Sequence, residues 1–252
     1  MASTSETGHA KNVANFEDLI AKCTGFGPAY NPTKNSIKIA AMTTLLNSAR
    51  NSLQTLKTTK TVYDNATNSR EIAFANLKKL CTRVVNALGA TDSAKQTVAD
   101  AKTINRKIQG KRADNKTTSP LVPPTDTTTP PVPDFSQISV SQQSYDSLID
   151  NFSKLIVSVT AEPLYIPNEI DLKVTALNTT LTNLKTANTG VINVTPAYRT
   201  ALISRNTSLY QPDTGLVYIA LEVKKYVKSV FGAKSTQYAE ISGIQFKKQV
   251  KL

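Results

Sequence analysis

A run of 56 residues, from Thr33 to Leu88, contains neither glycine nor proline. Apolar side chains recur in this run at steps of three, four and seven residues, which is the spacing of one face of an α-helix. A single helix of that length would be unusual in a globular protein. The run therefore predicts successive amphipathic helices that pack together through their apolar stripes.

The apolar pattern occurs twice along the chain. Residues 37–46 match residues 172–181 at an offset of 135, and five further positions match at the same offset: Tyr30 with Tyr165, Pro32 with Pro167, Tyr63 with Tyr198, and Ser69-Arg70 with Ser204-Arg205. Residues 84–90 match 227–233 at an offset of 143, which requires an insertion of eight residues within Asn206–Thr214. Residues 16–20 match 145–149 at an offset of 129. Because these blocks keep the same order, they indicate an internal duplication.

A proline-rich segment separates the two copies. Residues 113–137 hold six of the twelve prolines, and each proline fixes φ and lacks a backbone donor. We expect an extended connector of polyproline type; the alternative is a ligand for SH3-like domains. The predicted division is a polar N-terminal tail (1–10), a first helical repeat (11–112), the Pro/Thr-rich linker (113–137) and a second helical repeat (138–252).

Within each copy the pattern predicts about four helices, at 12–23, 34–67, 71–88 and 92–110, and at 142–161, 168–208, 215–231 and 234–248. In the second copy, Gly190 and Thr195-Pro196 interrupt the helical pattern, and the insertion follows soon after. At the equivalent positions of the first copy, these interruptions predict a turn near Asn68–Arg70 and a kink near Thr58–Thr61. Gly89-Ala90 is expected to end a helix. Thr91-Asp92-Ser93 is expected to cap the next one.

These helices predict an all-α fold of two tandem, homologous, antiparallel helical bundles joined by the proline-rich linker. The chain contains 33 threonines and 19 asparagines, which are mediocre helix formers, so an all-β fold is the structural alternative. We reject it because the apolar spacing keeps a period near 3.5, and because Gly/Pro turns do not recur every 8–12 residues.

The composition leaves little for catalysis. The chain has one histidine, two cysteines and nine glycines, and it lacks the motifs GxGxxG, GxxxxGK[ST], HExxH, GxSxG and CxxC. His9 lies in the predicted tail. Cys23 and Cys81 are expected to be buried reduced thiols, with a disulfide as the alternative. We predict no catalytic residue, no cofactor and no metal; an enzyme whose site forms between the copies is a third hypothesis.

The sequence shows neither a secretory signal pattern nor a membrane-length apolar run. We therefore expect a cytoplasmic protein without membrane insertion.

Positive charge is concentrated in the first copy. The net charge is +12; residues 1–116 carry 18 basic and 8 acidic side chains, against 12 and 10 in the remainder. The densest basic group forms a candidate polyanion-binding site: Lys102, Arg106, Lys107, Lys111, Arg112 and Lys116. Such a stripe can neutralise phosphates, but cations also favour the C-terminal end of a helix, where this group lies.

The function that these features favour is a non-enzymatic structural or interaction protein, which self-assembles or scaffolds through its duplicated bundles. Its partner would be a second copy or another protein. The alternative is a nucleic-acid-associated protein that uses the basic surface of repeat 1.

Five segments resemble a group of duplicated helical proteins of Bacteroidetes bacteria: NFEDLIAKC (15–23), SREIAF (69–74), VADAKTINRKIQGKR (98–112), SVSQQSYDSLIDNF (139–152) and VKKYVKSVFGA (223–233). The resemblance covers most of the chain outside the linker. It implies a duplicated helical fold. It implies no activity, cofactor or site residue, because the group has none established.

Overall fold

The computed structural model describes residues 6–110 and 143–247. They form α1 (Glu6–Gly25), α2 (Ile39–Phe74), α3 (Leu77–Gly89), α4 (Lys95–Gln109), α5 (Tyr145–Thr160), α6 (Val174–Tyr210), α7 (Leu216–Phe231) and α8 (Thr236–Ser242). No strand occurs in these two ranges. The all-α prediction is confirmed, and the all-β alternative is wrong.

Several helix boundaries differ from the predicted ones. α1 begins at Glu6, so residues 6–10 are helical and are not an unstructured tail. α2 continues through Thr58–Thr61 and Asn68–Arg70 to Phe74. The turn before α3 therefore lies at Ala75-Asn76. The last turn of α2 stays packed in the core because Phe74 is buried there.

α6 runs unbroken through Gly190 and Thr195-Pro196, which were expected to interrupt the second copy. Proline in a helix interior removes one backbone hydrogen bond and costs about 3 kcal/mol. Buried side chains on both sides of the proline, Val191 and Ala201 among them, keep both parts of the helix packed. Tertiary packing of this kind outweighs a local preference.

Serine side chains cap two helices. Ser144 accepts a hydrogen bond from the Ser147 amide at the start of α5, and Ser235 accepts one from the Tyr238 amide at the start of α8, each 3.1 Å long. α3 ends at Gly89 as predicted. The predicted cap of α4 is wrong, because Ala94 holds the N-cap position and makes no side-chain hydrogen bond there.

The chain divides into two compact units, and each unit combines parts of both predicted repeats. Unit 1 comprises residues 1–65 and 193–252, and unit 2 comprises residues 66–192. These limits do not coincide with the predicted repeats at 11–112 and 138–252. Each core joins helices from both halves of the sequence. The predicted linker, 113–137, lies outside the described residues.

In unit 1, α1 packs against α7 and α8. The fully buried side chains of its core include Phe16 and Leu19 from α1, Met42 from α2 and Leu216 and Ile219 from α7. The apolar stripe of the first helix in the chain is therefore covered by helices from the C-terminal end of the chain.

In unit 2, α4 packs against both α3 and α5. Its core includes Leu88 from α3, Ile108 from α4, Phe152 and Leu155 from α5, and Leu177 from α6, all fully buried.

Local features recur in the two units. The buried series Phe16, Leu19, Ile20 and Cys23 in α1 has the same spacing as Phe152, Leu155, Ile156 and Val159 in α5. The hydroxyls of Thr24 and Thr160, which follow these series, donate to the carbonyls of Ile20 and Ile156. This register corrects the predicted match of residues 16–20 with 145–149, because Tyr145 is only partly buried at the first residue of α5.

Candidate functional site

The loop between α5 and α6 is held by the side chain of Tyr165. This residue is buried, and its hydroxyl donates a 2.9 Å hydrogen bond to the carbonyl of Leu172. Leu172 ends a short 3-10 turn, Ile170–Leu172, which precedes α6. Burial, together with the nearby carboxylates of Glu169 and Asp171, raises the pKa of Tyr165 to about 12. The phenol therefore stays protonated and keeps its donor.

Unit 1 contains the same arrangement in the loop between α1 and α2. The hydroxyl of Tyr30 donates a 2.6 Å hydrogen bond to the carbonyl of Ile37. Ile37 ends the 3-10 turn Asn35–Ile37. Burial raises the pKa of Tyr30. Both loops thus have the same internal tie.

Each loop also forms an ion pair with a helix of its own unit, with opposite polarity in the two units. In unit 2, Arg83 of α3 binds both carboxylate oxygens of Asp171 in the loop. In unit 1, Lys34 of the loop binds Glu222 of α7, with Nζ and Oε2 2.5 Å apart. The hydrogen bond from Arg83 and its positive charge hold the pKa of Asp171 below its usual value. The helix carries the cation in unit 2 and the anion in unit 1.

A cleft of about 480 Å³ opens beside the loop of unit 2. α3 contributes Arg83, Asn86 and Ala87 to its wall, and the loop contributes Tyr165 and Glu169. The volume is within the range of small-ligand sites. The wall combines an aromatic side chain, a methyl group, an amide and charged groups of both signs.

The loop beside this cleft is apolar on its outer side. Leu164 is 49%, Ile166 81% and Ile170 80% exposed. The corresponding residues of the unit 1 loop, at the predicted offset of 135, are Ala29, Asn31 and Asn35, which are also exposed. The shared backbone arrangement therefore does not require apolar side chains at these positions.

The predicted polyanion-binding residues are only partly described. Lys102 and Arg106 lie one turn apart on α4, with Lys107 next to Arg106. Lys102 and Lys107 are exposed and Arg106 is partly buried. Lys111, Arg112 and Lys116 lie outside the described residues. In the described part of the chain, none of the first three cations forms an ion pair with a carboxylate.

The residues considered for chemistry occupy structural positions. Nδ1 of His9 lies 2.5 Å from the hydroxyl of Tyr210, so this histidine is fixed on α1 and is not part of a loose tail. Cys23 and Cys81 are unbonded to each other and buried, and desolvation raises the pKa of each thiol to about 12. Glu17 and Asp18 lie in the middle of α1 and pair with Arg50 and Lys22.

Across residues 6–110 and 143–247, no three His, Cys, Asp or Glu side chains are grouped as metal ligands. None of the helices in these ranges combines the length and the apolar character that crossing a bilayer demands.

Sequence reasoning missed the cleft. Matching residues 84–90 with 227–233 aligned the glycines at the ends of the two helices, whereas the buried side chains of α3, from Leu77 to Leu88, match those of α7 at an offset of 139. The signal that could have found the site was the matched pair Tyr30 and Tyr165. These were the only buried aromatic residues that the alignment placed in the two loops.

No family model, no curated protein and no solved structure matches the chain. The resemblance to duplicated helical proteins of Bacteroidetes stays a prediction.

Proposed function

We propose that this chain is a non-enzymatic interaction protein that self-associates or scaffolds through its helical units. The observation that carries the proposal is the exposed apolar loop of unit 2, which presents Leu164, Ile166 and Ile170 within seven residues. Exposed apolar side chains that are concentrated in one loop favour a contact with another surface.

The loop of unit 1 supports this interpretation. It keeps the tyrosine hydrogen bond and the 3-10 turn with Ala29, Asn31 and Asn35 in place of the apolar residues. Because the loop folds with polar residues, the isoleucines of unit 2 are not needed for its internal structure. A partner surface accounts for them.

We further infer that the two halves of the chain descend from one ancestral segment. Support comes from the paired tyrosine ties, the paired 3-10 turns and the identical spacing of buried residues in α1 and α5. After a duplication, one loop could keep a structural role while the other acquired a binding role.

The cysteines support a non-catalytic role. A nucleophilic cysteine acts as its thiolate and has a lowered pKa. The pKa of both Cys23 and Cys81 is raised to about 12 by burial. Both thiols thus remain protonated and serve as small apolar core residues.

The test is the solution mass of the purified chain, measured by light scattering after size exclusion over a range of concentrations, with negative-stain microscopy. We expect assemblies larger than one chain. The double variant Ile166→Asn, Ile170→Asn places in the unit 2 loop the asparagines that the unit 1 loop has at Asn31 and Asn35. This variant should shift the protein towards the monomer.

The matched control is Ile72→Asn with Ile203→Asn, which removes two isoleucines that are 76% and 66% exposed outside the loop. This pair should leave the assembly unchanged. A wild-type chain that is strictly monomeric at high concentration, with no polymer in the micrographs, would contradict self-association.

Nucleic-acid binding is the second candidate. Lys102, Arg106 and Lys107 have no carboxylate partner in the described part of the chain, and two of the three are exposed. A mobility shift with duplex DNA and single-stranded RNA at two salt concentrations tests this candidate. Binding should weaken steeply with salt and with the triple change to alanine. No shift at low salt would eliminate it.

A further inference from the structure

We propose that the cleft of unit 2 binds an aromatic side chain of a partner polypeptide, with a basic residue of that partner next to the ring. The inference deepens the proposed interaction function, on which it rests, by naming what the cleft beside the apolar loop accepts. It begins from a comparison between equivalent places in the two units.

α3 and α7 present the same series of buried side chains to their units. Leu77, Cys81, Val84 and Leu88 in α3 have the same spacing as Leu216, Ala220, Val223 and Val227 in α7, and all are buried. Each series begins at the first residue of its helix. Arg83, which precedes Val84, therefore corresponds to Glu222, and Ala87, which precedes Leu88, corresponds to Tyr226.

The ion pairs support this register independently. Arg83 and Glu222 each bind the loop of their own unit. The loop partner of Glu222 is Lys34, which corresponds at the predicted offset to Glu169, and Glu169 lines the cleft. The ion-pair partner of Arg83 is Asp171, two positions further along the loop, but the charge of Glu169 also acts on Arg83. The equivalent helix positions thus face the same part of the loop in the two units.

In unit 1 the place of the cleft is occupied by a ring. Tyr226 lies perpendicular to Tyr30, with the ring centroids 5.3 Å apart. In unit 2 the loop tyrosine is retained as Tyr165, but its helix counterpart is Ala87, and both line the cleft. The cleft therefore has one half of an edge-to-face aromatic pair. A ring beside Tyr165 would gain about 0.5–1.5 kcal/mol beyond the area that it buries.

The charge at the cleft selects a basic partner. Arg83 is paired with Asp171 and also interacts with the charge of Glu169, so two carboxylates share one guanidinium at this place. The equivalent position in unit 1 is the cation Lys34. A lysine or arginine of the partner next to the aromatic residue would therefore meet a net negative charge.

The apolar rim indicates that the occupant belongs to a polypeptide. Ile166 lines the cleft, and Leu164 and Ile170 are exposed in the same loop, so more apolar surface is present here than one ring would cover. Flanking residues of a peptide can cover these side chains, whereas a small aromatic amine cannot. No aromatic side chain of the described residues is in the exposed class, so the described surface of a second copy does not offer the ring.

The experiment measures binding of a fluorescein-labelled peptide, GKLYKLG, to the full chain by fluorescence polarisation. Two matched peptides replace its tyrosine by alanine (GKLAKLG) or its lysines by glutamate (GELYELG). We expect each replacement to weaken binding by about tenfold or more, because an anchor ring or a charge pair is lost. Equal binding of GKLYKLG and GKLAKLG would overturn the proposal.

Two protein variants locate the site. Ala87→Tyr supplies the ring that unit 1 has as Tyr226, and should reduce binding of GKLYKLG by about tenfold or more. Ala99→Tyr, at an exposed position of α4, is the matched control and should bind as the wild type does. Thermal unfolding verifies that both variants are folded. A folded Ala87→Tyr variant with wild-type affinity would overturn the proposal.

Other occupants give different results. Tyramine that binds as tightly as the peptide would assign the cleft to a small aromatic amine and overturn the polypeptide assignment. Peptide binding that appears only in a Phe135→Ala variant would assign the cleft to the chain's own phenylalanine, with the same consequence. A chain that assembles but does not bind GKLYKLG would retain the proposed function and lose this inference. A monomer that binds GKLYKLG would retain this inference and the interaction role, and lose self-association.

Discussion

The hydroxyl of Tyr165 reaches across seven residues to the carbonyl of Leu172, and the hydroxyl of Tyr30 reaches the carbonyl of Ile37 in the same way. All four residues are buried. Removal of such a donor leaves a buried carbonyl without a partner, which costs about 1–3 kcal/mol. These two hydrogen bonds are therefore a sensitive probe of both loops.

Tyr165→Phe and Tyr30→Phe should each lower the free energy of unfolding by about 1–2 kcal/mol, because each leaves one buried carbonyl unsatisfied. Urea denaturation followed by circular dichroism measures the change. Tyr198→Phe is the control, because this ring acts by stacking on Tyr63, with centroids 5.1 Å apart. A loss at Tyr165 no larger than the loss at Tyr198 would show that the hydrogen bond adds nothing to stability.

Acid should weaken the attachment of the unit 2 loop to α3. The pKa of Asp171 is lower in the folded chain than its usual value of 3.8 because Arg83 binds it. The unfolded chain therefore takes up the proton first as the pH falls. The stability from this pair is present above pH 3.8 and is lost as the pH falls through the lower, folded-state pKa.

The measurement compares urea midpoints between pH 6 and pH 2 for the wild type and for Asp171→Asn. The wild type should lose more stability with acid than the variant does. Asp150→Asn removes an exposed pair with Lys154 on one helix and serves as the reference. Parallel pH profiles for the wild type and Asp171→Asn would refute the expectation.

The two cysteines should react slowly with a thiol reagent in the native chain. Burial raises the pKa of Cys23 and Cys81 to about 12, so the thiolate that reacts is scarce and also inaccessible. With 5,5′-dithiobis(2-nitrobenzoate) at pH 8, we expect both thiols to react promptly in urea and neither to do so in buffer. Rapid reaction of the folded chain would contradict the buried positions.

Pro196→Ala should stabilise the chain. The substitution restores the backbone donor to the carbonyl of Ile192 within α6 and removes a cost of about 3 kcal/mol, of which the lost rigidity of the unfolded chain offsets up to about 1 kcal/mol. A rise in the unfolding midpoint is expected. Pro212→Ala, in the loop between α6 and α7, should show no such gain. An unchanged midpoint for Pro196→Ala would mean that α6 already accommodates the proline without cost.

The sequence predicted the helices better than their partners. The spacing of Leu77, Val84 and Leu88 identifies a helix with one buried face, and the structure has that helix. The same spacing in α7 presents an equivalent apolar face, so by pattern alone either α3 or α7 could cover the apolar stripe of α1. Hydrophobic burial is not directional, and a periodic pattern cannot specify which of two similar faces covers which helix.

The cleft was harder to predict for a related reason. Tyr165, Ala87 and Glu169 are far apart in sequence, and each is unremarkable by itself. The vacancy beside Tyr165 becomes visible only when Tyr226 is seen against Tyr30 in the other unit. That relationship depends on how α3 is aligned with α7. Because buried side chains recur about every four residues along a helix, two alignments that differ by four residues fit the apolar pattern about equally well.

The discontinuous composition of unit 1 imposes an order on synthesis. Residues 66–192 leave the ribosome together with all the core side chains of unit 2, from Phe74 to Leu184. Phe16 and Leu19 emerge much earlier, but Leu216 and Ile219, which share their core, are translated near the end. The part of the α1 face that α7 and α8 cover must therefore stay exposed on the nascent chain through most of its translation.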